Sequence, residues 1–83
     1  MPTVAIVDGV AIRFHPDEHP PPHFHAVFAK FVAQIRIAPP EVLRGSPPAA
    51  KLKAVLIWAA ENREGLMDAW LALEAGRKPR RLQ

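Results

Sequence analysis

The chain has 83 residues, 49% of them apolar, and a formal net charge of +3. That length allows one domain with one small core, and the apolar fraction excludes a disordered chain. Cysteine is absent, which excludes disulfides and thiolate zinc sites, so any metal must be held by His, Asp or Glu.

Mean hydropathy is near zero, and no apolar run approaches the roughly 20 residues needed to span a bilayer. The start, MPTVAIVDG, has neither a basic n-region nor a small-residue cleavage site, so a cytoplasmic protein with no membrane partner is expected. The positive charge is uneven. Arg77, Lys78, Arg80 and Arg81 supply four of the eleven cationic side chains, and the remainder carries seven positive against eight negative. The chain therefore divides into a domain over residues 1–76 and a basic tail over residues 77–83. Such a tail can bind RNA or another acidic partner through those four residues, although a chain end is ordinarily loose and solvated.

In chain order, residues 4–7 and 10–14 read as strands around Asp8-Gly9, a hairpin signal because Gly tolerates the positive φ of a type I′ turn. Val10, Ile12 and Phe14 share one face, leaving Ala11, Arg13 and His15 on the other. The first run lacks polar alternation and reads as a strand covered on both sides, with a second subunit as one cover. Residues 23–28 and 31–37 form a second hairpin. A two-residue connection at Ala29-Lys30 sets Phe28 opposite Phe31, Ala26 opposite Ala33 and Phe24 opposite Ile35, one coherent apolar face. It also sets His25 opposite Gln34 and His23 opposite Arg36. Pro39-Pro40 ends the sheet run.

GSPP at residues 45–48 leads into a helix, with Ser46 as the cap and proline in the first turn. Leu52, Val55, Leu56 and Ala59 make an apolar stripe over residues 49–62, and Leu66, Met67, Trp70 and Leu73 continue it over 64–75. Gly65 is expected to mark a bend, since glycine costs roughly 1 kcal/mol inside a helix, and Gly76 to stop the second helix. The fold class is α+β: an antiparallel four-stranded sheet of two hairpins, then two helices packed on one face.

Several of these residues resemble one family. MPTV, then Asp17-x-His19-x-Pro21-Pro22-His23-Phe24-His25-Ala26, Trp58-Ala59, Arg63-Glu64-x-Leu66, Trp70, and Gly76 before Pro79 are similar to the small bacterial proteins grouped as domain of unknown function 4160. The resemblance covers nearly the whole chain. It implies a stand-alone protein encoded beside another small open reading frame, hence a component of a toxin–antitoxin-like two-gene module whose partners are a cognate small protein and RNA. It brings no catalytic residues with it. The family pattern has an aromatic or apolar residue where His15 stands, so His19, His23 and His25 rank above it as site residues.

All four histidines fall within HPDEHPPPHFHA, residues 15–26. On a strand, His23 and His25 project to the same side, about 6.5–7 Å apart along the chain and away from Phe24. Pro20–Pro22 favours an extended approach that holds His19 just before the strand. Three uses compete. His23 and His25 can bind a divalent metal such as zinc, with His19, Asp17 or Glu18 as third ligand and one position left open; Arg36 nearby counts against a dication. Alternatively, His23 and His25 act as general base and acid at a phosphodiester, with Arg13 or Arg36 stabilising developing charge, a ribonuclease-like activity if the protein is an enzyme. In the third, the histidines tie the proline loop to the sheet and the protein is a non-catalytic regulatory partner. A homo-oligomer is expected in each case, with Trp58 and Trp70 as core or interface anchors.

Overall fold

Five strands follow one another as an antiparallel meander: β1 (Thr3–Val7), β2 (Val10–Arg13), β3 (His23–Phe28), β4 (Phe31–Arg36) and β5 (Glu41–Arg44). Two helices follow, α1 (Ala49–Glu61) and α2 (Arg63–Glu74). The computed structural model describes residues 3–83; Met1 and Pro2, included in the span 1–76 and in the MPTV match, lie outside the described residues. No described helix is long and apolar enough to cross a membrane.

The first hairpin turns at Asp8 (φ 49°) and Gly9 (φ 80°), the paired positive φ that a type I′ turn requires. The second pairs Phe28 with Phe31, Ala26 with Ala33 and Phe24 with Ile35, and therefore His25 with Gln34 and His23 with Arg36. Its turn places Ala29 at φ 52°, a conformation that crowds an L side chain. Apolar pairing across the strands sets this register in spite of the turn residue.

Three local expectations are corrected. First, the sheet has five strands and not four. Pro39-Pro40 occupy the connection, where a missing N–H costs no ladder bond, and pairing resumes at Glu41. Arg36 closes that connection, donating from Nε to the Pro39 carbonyl (3.3 Å) and from Nη2 to Glu41 Oε1 (2.9 Å). Within this chain β1 is covered on its inner side, which leaves its outer side open to a second subunit. The register slips between Thr3 and Ala5, so both Val4 and Ala5 turn inward while Ile6 is 52% exposed on the outer face. Second, the helix break falls at Asn62 and not at Gly65. Asn62 (φ −119°, ψ 24°) leaves the helical region, and its side-chain amide donates to the Trp58 carbonyl at 2.9 Å. Third, Ser46 makes no cap bond; α1 starts after Pro48, whose carbonyl accepts from Leu52 N–H at 2.9 Å.

Gly65 has a packing role instead. A Cβ there would lie 2.8 Å from Leu82 Cδ2, so the missing side chain makes room for the C-terminal segment on α2. That segment is seated rather than loose. Pro79 is buried, and the N–H groups of Leu82 and Gln83 both donate to the Val4 carbonyl, at 2.7 and 3.1 Å. Gly76 (φ 75°) ends α2 and lets Arg77 N–H reach back to the Ala72 carbonyl at 2.7 Å.

The core lies between the helices and the inner sheet face. Ile12, Phe14, Phe24, Ile35 and Ile37 meet Val55, Ala59, Leu66 and Ala69, and all are buried. Phe24 is fully enclosed, so its strand neighbours His23 and His25 must leave on the opposite side.

Candidate metal centre

The loop after β2 folds back over β3 instead of approaching it extended, and it brings one carboxylate among three imidazoles. Glu18 Oε1 lies 2.7 Å from His25 Nε2, 3.8 Å from His23 Nε2 and 3.9 Å from His15 Nδ1. The His15 ring stacks on His25 with centroids 3.7 Å apart and planes 21° from parallel. His23 and His25 stand 5.4 Å apart, and Trp70 of α2 abuts His23 at 5.3 Å. The two strand histidines are each 6% exposed, because the loop lies over them. They share a side of β3 but are covered, not turned out to solvent.

The nitrogens of His23 are in unequal states. Nδ1 lies 2.8 Å from the Pro21 carbonyl, and a carbonyl only accepts, so Nδ1 carries the proton. In the neutral ring Nε2 is then a bare lone pair. That atom is buried and has no hydrogen-bond partner. A buried acceptor without a donor costs about 1–3 kcal/mol. A histidine whose other N–H is held by a backbone carbonyl, with its free nitrogen facing a shared site, has the arrangement usual for a metal ligand.

His15, Glu18 and His25 each offer a ligand atom within 4.8 Å of the others. Beside them opens a cleft of about 320 Å³ lined by His15, Asp17, Glu18, Trp70, Leu73 and Glu74. Its charged lining is three carboxylates and no Lys or Arg, a wall that favours cations and repels phosphate.

Burial works against ionised Glu18, but the hydrogen bond from His25 and the positive charge available on His25, His23 and His15 outweigh it, holding the carboxyl below the usual range. Burial, then the neighbouring His25, lowers His15, and Glu18 offsets only part of this. Both groups therefore bind fewer protons folded than unfolded. The linked stability is complete above their ordinary values, about 6.5 for His and 4.3 for Glu, and is lost as pH falls through the depressed folded values. Thermal melts of metal-free protein should show a falling midpoint from about pH 6.5 downward, with a second decline below about pH 4.3. Replacing Glu18 by Gln should flatten the second decline.

His19 is exposed and outside the cluster, and Asp17 is exposed at φ 60° on the cleft rim. Arg13 is opposite His25 in the ladder, and its Nε donates to Thr3 Oγ1 at 3.2 Å. Arg36 is opposite His23 but is engaged with Pro39 and Glu41. Arg77, Lys78, Arg80 and Arg81 belong to the seated segment and lie exposed on it, and none of them lines the histidine cleft. His15 joins the cluster despite its low rank. The signal for it was strand alternation, which already put His15 on the outer side with Arg13. Trp70 and Glu74 carry no such signal, because only the packing of α2 brings them to the cleft.

The family model described as domain of unknown function (DUF4160) matches residues 9–71 of the chain. No curated protein and no solved structure matches it.

Proposed function

The chain belongs to the DUF4160 family, a domain of unknown function, and we propose that it is a divalent-metal-binding protein centred on His15, Glu18 and His25, with His23 as a fourth donor. The observation that carries this is the buried, unpartnered Nε2 of His23, 3.8 Å from the same carboxylate oxygen that the other two imidazoles approach. A tetrahedral ion with bonds of about 2.0–2.1 Å sets its ligands roughly 3.3 Å apart. Around Glu18 the 3.8 and 3.9 Å separations exceed this by about 0.5–0.6 Å and the 2.7 Å His25–Glu18 bond falls short by about 0.6 Å, whereas His23 stands outside the set of donors within 4.8 Å of one another and must swing inward to ligate. Imidazole and carboxylate without thiolate suit zinc, iron(II), cobalt or nickel. A bound ion would supply a Lewis acid beside the acidic cleft.

Metal content of protein prepared without a His-tag tests this. About one equivalent per chain is expected, falling to background in His25→Ala and in Glu18→Gln, with His19→Ala unchanged. A wild-type protein free of metal after incubation with zinc, cobalt and nickel defeats the proposal.

One observation favours a second reading. The 2.7 Å Glu18–His25 bond is how a carboxylate orients a general-base histidine, which would suit the RNA-directed arm of a two-gene module. The acidic cleft and the engagement of Arg13 and Arg36 weigh against phosphate there. RNA cleavage that survives a chelator but not His25→Ala would favour it over the metal reading.

A further inference from the structure

A second feature lies on the outer side of α2, apart from the histidines. A groove of about 370 Å³ runs between α2 and the seated segment, lined by Gly65, Asp68, Leu71, Ala72, Leu82 and the cations Arg77, Lys78 and Arg80. We infer that this groove docks an acidic protein segment carrying aliphatic side chains.

The rim is cationic and uncommitted. Among the described residues neither Arg77, Lys78 nor Arg80 is within ion-pairing distance of a carboxylate, and Asp68 is the single acid in the lining. Arginine forks match carboxylates in bidentate geometry. The floor is aliphatic: Leu71 is 51% exposed and lies beside Ala72 and Leu82. An exposed leucine between cations contributes affinity only to a partner that brings apolar area as well as negative charge.

The rim is also preorganised. Pro79 is buried, Leu82 fills the space over Gly65, and two N–H groups hold the segment to Val4. Arg81 is folded back, donating from Nε to the Gln83 carbonyl at 2.8 Å, so it positions the segment more than it faces the groove. A strap already fixed loses little entropy when a partner binds. An RNA strand is disfavoured because the lining has no aromatic ring on which bases could stack.

Fluorescence anisotropy of the full chain tests the assignment, with three labelled probes in about 0.1 M salt: an alternating Glu/Leu peptide, an alternating Glu/Ser peptide and oligouridine. The Glu/Leu peptide should bind at least about tenfold tighter than either other probe. Arg77→Glu with Arg80→Glu should cost at least about tenfold, and Leu71→Asp, at an exposed position, should remove the advantage over Glu/Ser. Leu82→Ser keeps every cation but frees the strap, and should also weaken binding. Circular dichroism confirms that each variant folds. Tighter binding of oligouridine, equal binding of the two peptides, or indifference to charge reversal would overturn the inference. None of these readouts depends on the metal centre.

Discussion

Zinc at a hundredfold excess over its dissociation constant is expected to raise the melting midpoint of the tag-free protein by about 10–20 °C. The arithmetic is linkage: ligand binding only the folded state adds about 2.7 kcal/mol at that excess, and each kcal/mol moves the midpoint of a domain this size by about 4–8 °C. The donors come from a loop, a strand and the turn leading out of β2, so in the unfolded chain they are far less organised than in the fold. Binding should therefore tie the loop to the sheet. Glu18→Gln removes the negative charge common to all three imidazole contacts, and should abolish most of the shift while also lowering the metal-free midpoint near neutral pH, where the ionised carboxylate is stabilising. His19→Ala should keep the whole shift, since His19 is exposed and outside the cluster. Equal shifts in wild type and Glu18→Gln would place zinc elsewhere.

Gly45→Ala is expected to destabilise the protein by about 3 kcal/mol or more, a large share of the roughly 4–12 kcal/mol usual for a chain this long. Gly45 follows β5 at φ +96°, and a Cβ there would lie 2.4 Å from the Val32 carbonyl oxygen and 2.9 Å from Ala33 Cα. Both obstacles are backbone in the adjoining strand, so no side-chain rotation relieves them, and the φ itself is unfavourable for alanine. Gly76→Ala provides the comparison. Its φ is +75° but nothing lies within 4 Å of the added carbon, so only the conformational cost of about 1 kcal/mol applies. Urea denaturation should separate the two by about 2 kcal/mol, with similar m-values. Equal midpoints would mean that β5 can move away from β4.

Features legible in the sequence were those set by neighbours along the chain. Asp8-Gly9 specified its turn, the alternation through Phe24, Ala26 and Phe28 specified the register with β4, and the same alternation put His23 and His25 on one side. Contacts between distant segments were not legible. Pro39-Pro40 looked like the end of the sheet because local rules make proline a breaker; beyond it β5 resumes by pairing Glu41 with Arg36 and Val42 with Ile35 across the turn. Gly65 looked like a bend for the same reason, when its purpose is to admit Leu82 from seventeen positions away. At the site, the prolines suggested a stiff approach presenting His19. The loop instead folds back and delivers Glu18 onto His25, a contact set by three-dimensional closure and not by spacing. Alternation places His15 beside Arg13 although the family pattern has an aromatic or apolar residue there, and the fold brings its ring onto His25.

X-ray absorption at the zinc edge of tag-free, stoichiometrically loaded protein tests the central claim most directly. A four-coordinate first shell of nitrogen and oxygen at about 2.0–2.1 Å is predicted, with outer-shell scattering from at least two imidazoles. That scattering should weaken in His25→Ala. A shell of six oxygens without imidazole scattering, or a wild-type spectrum unchanged in His25→Ala, would contradict it.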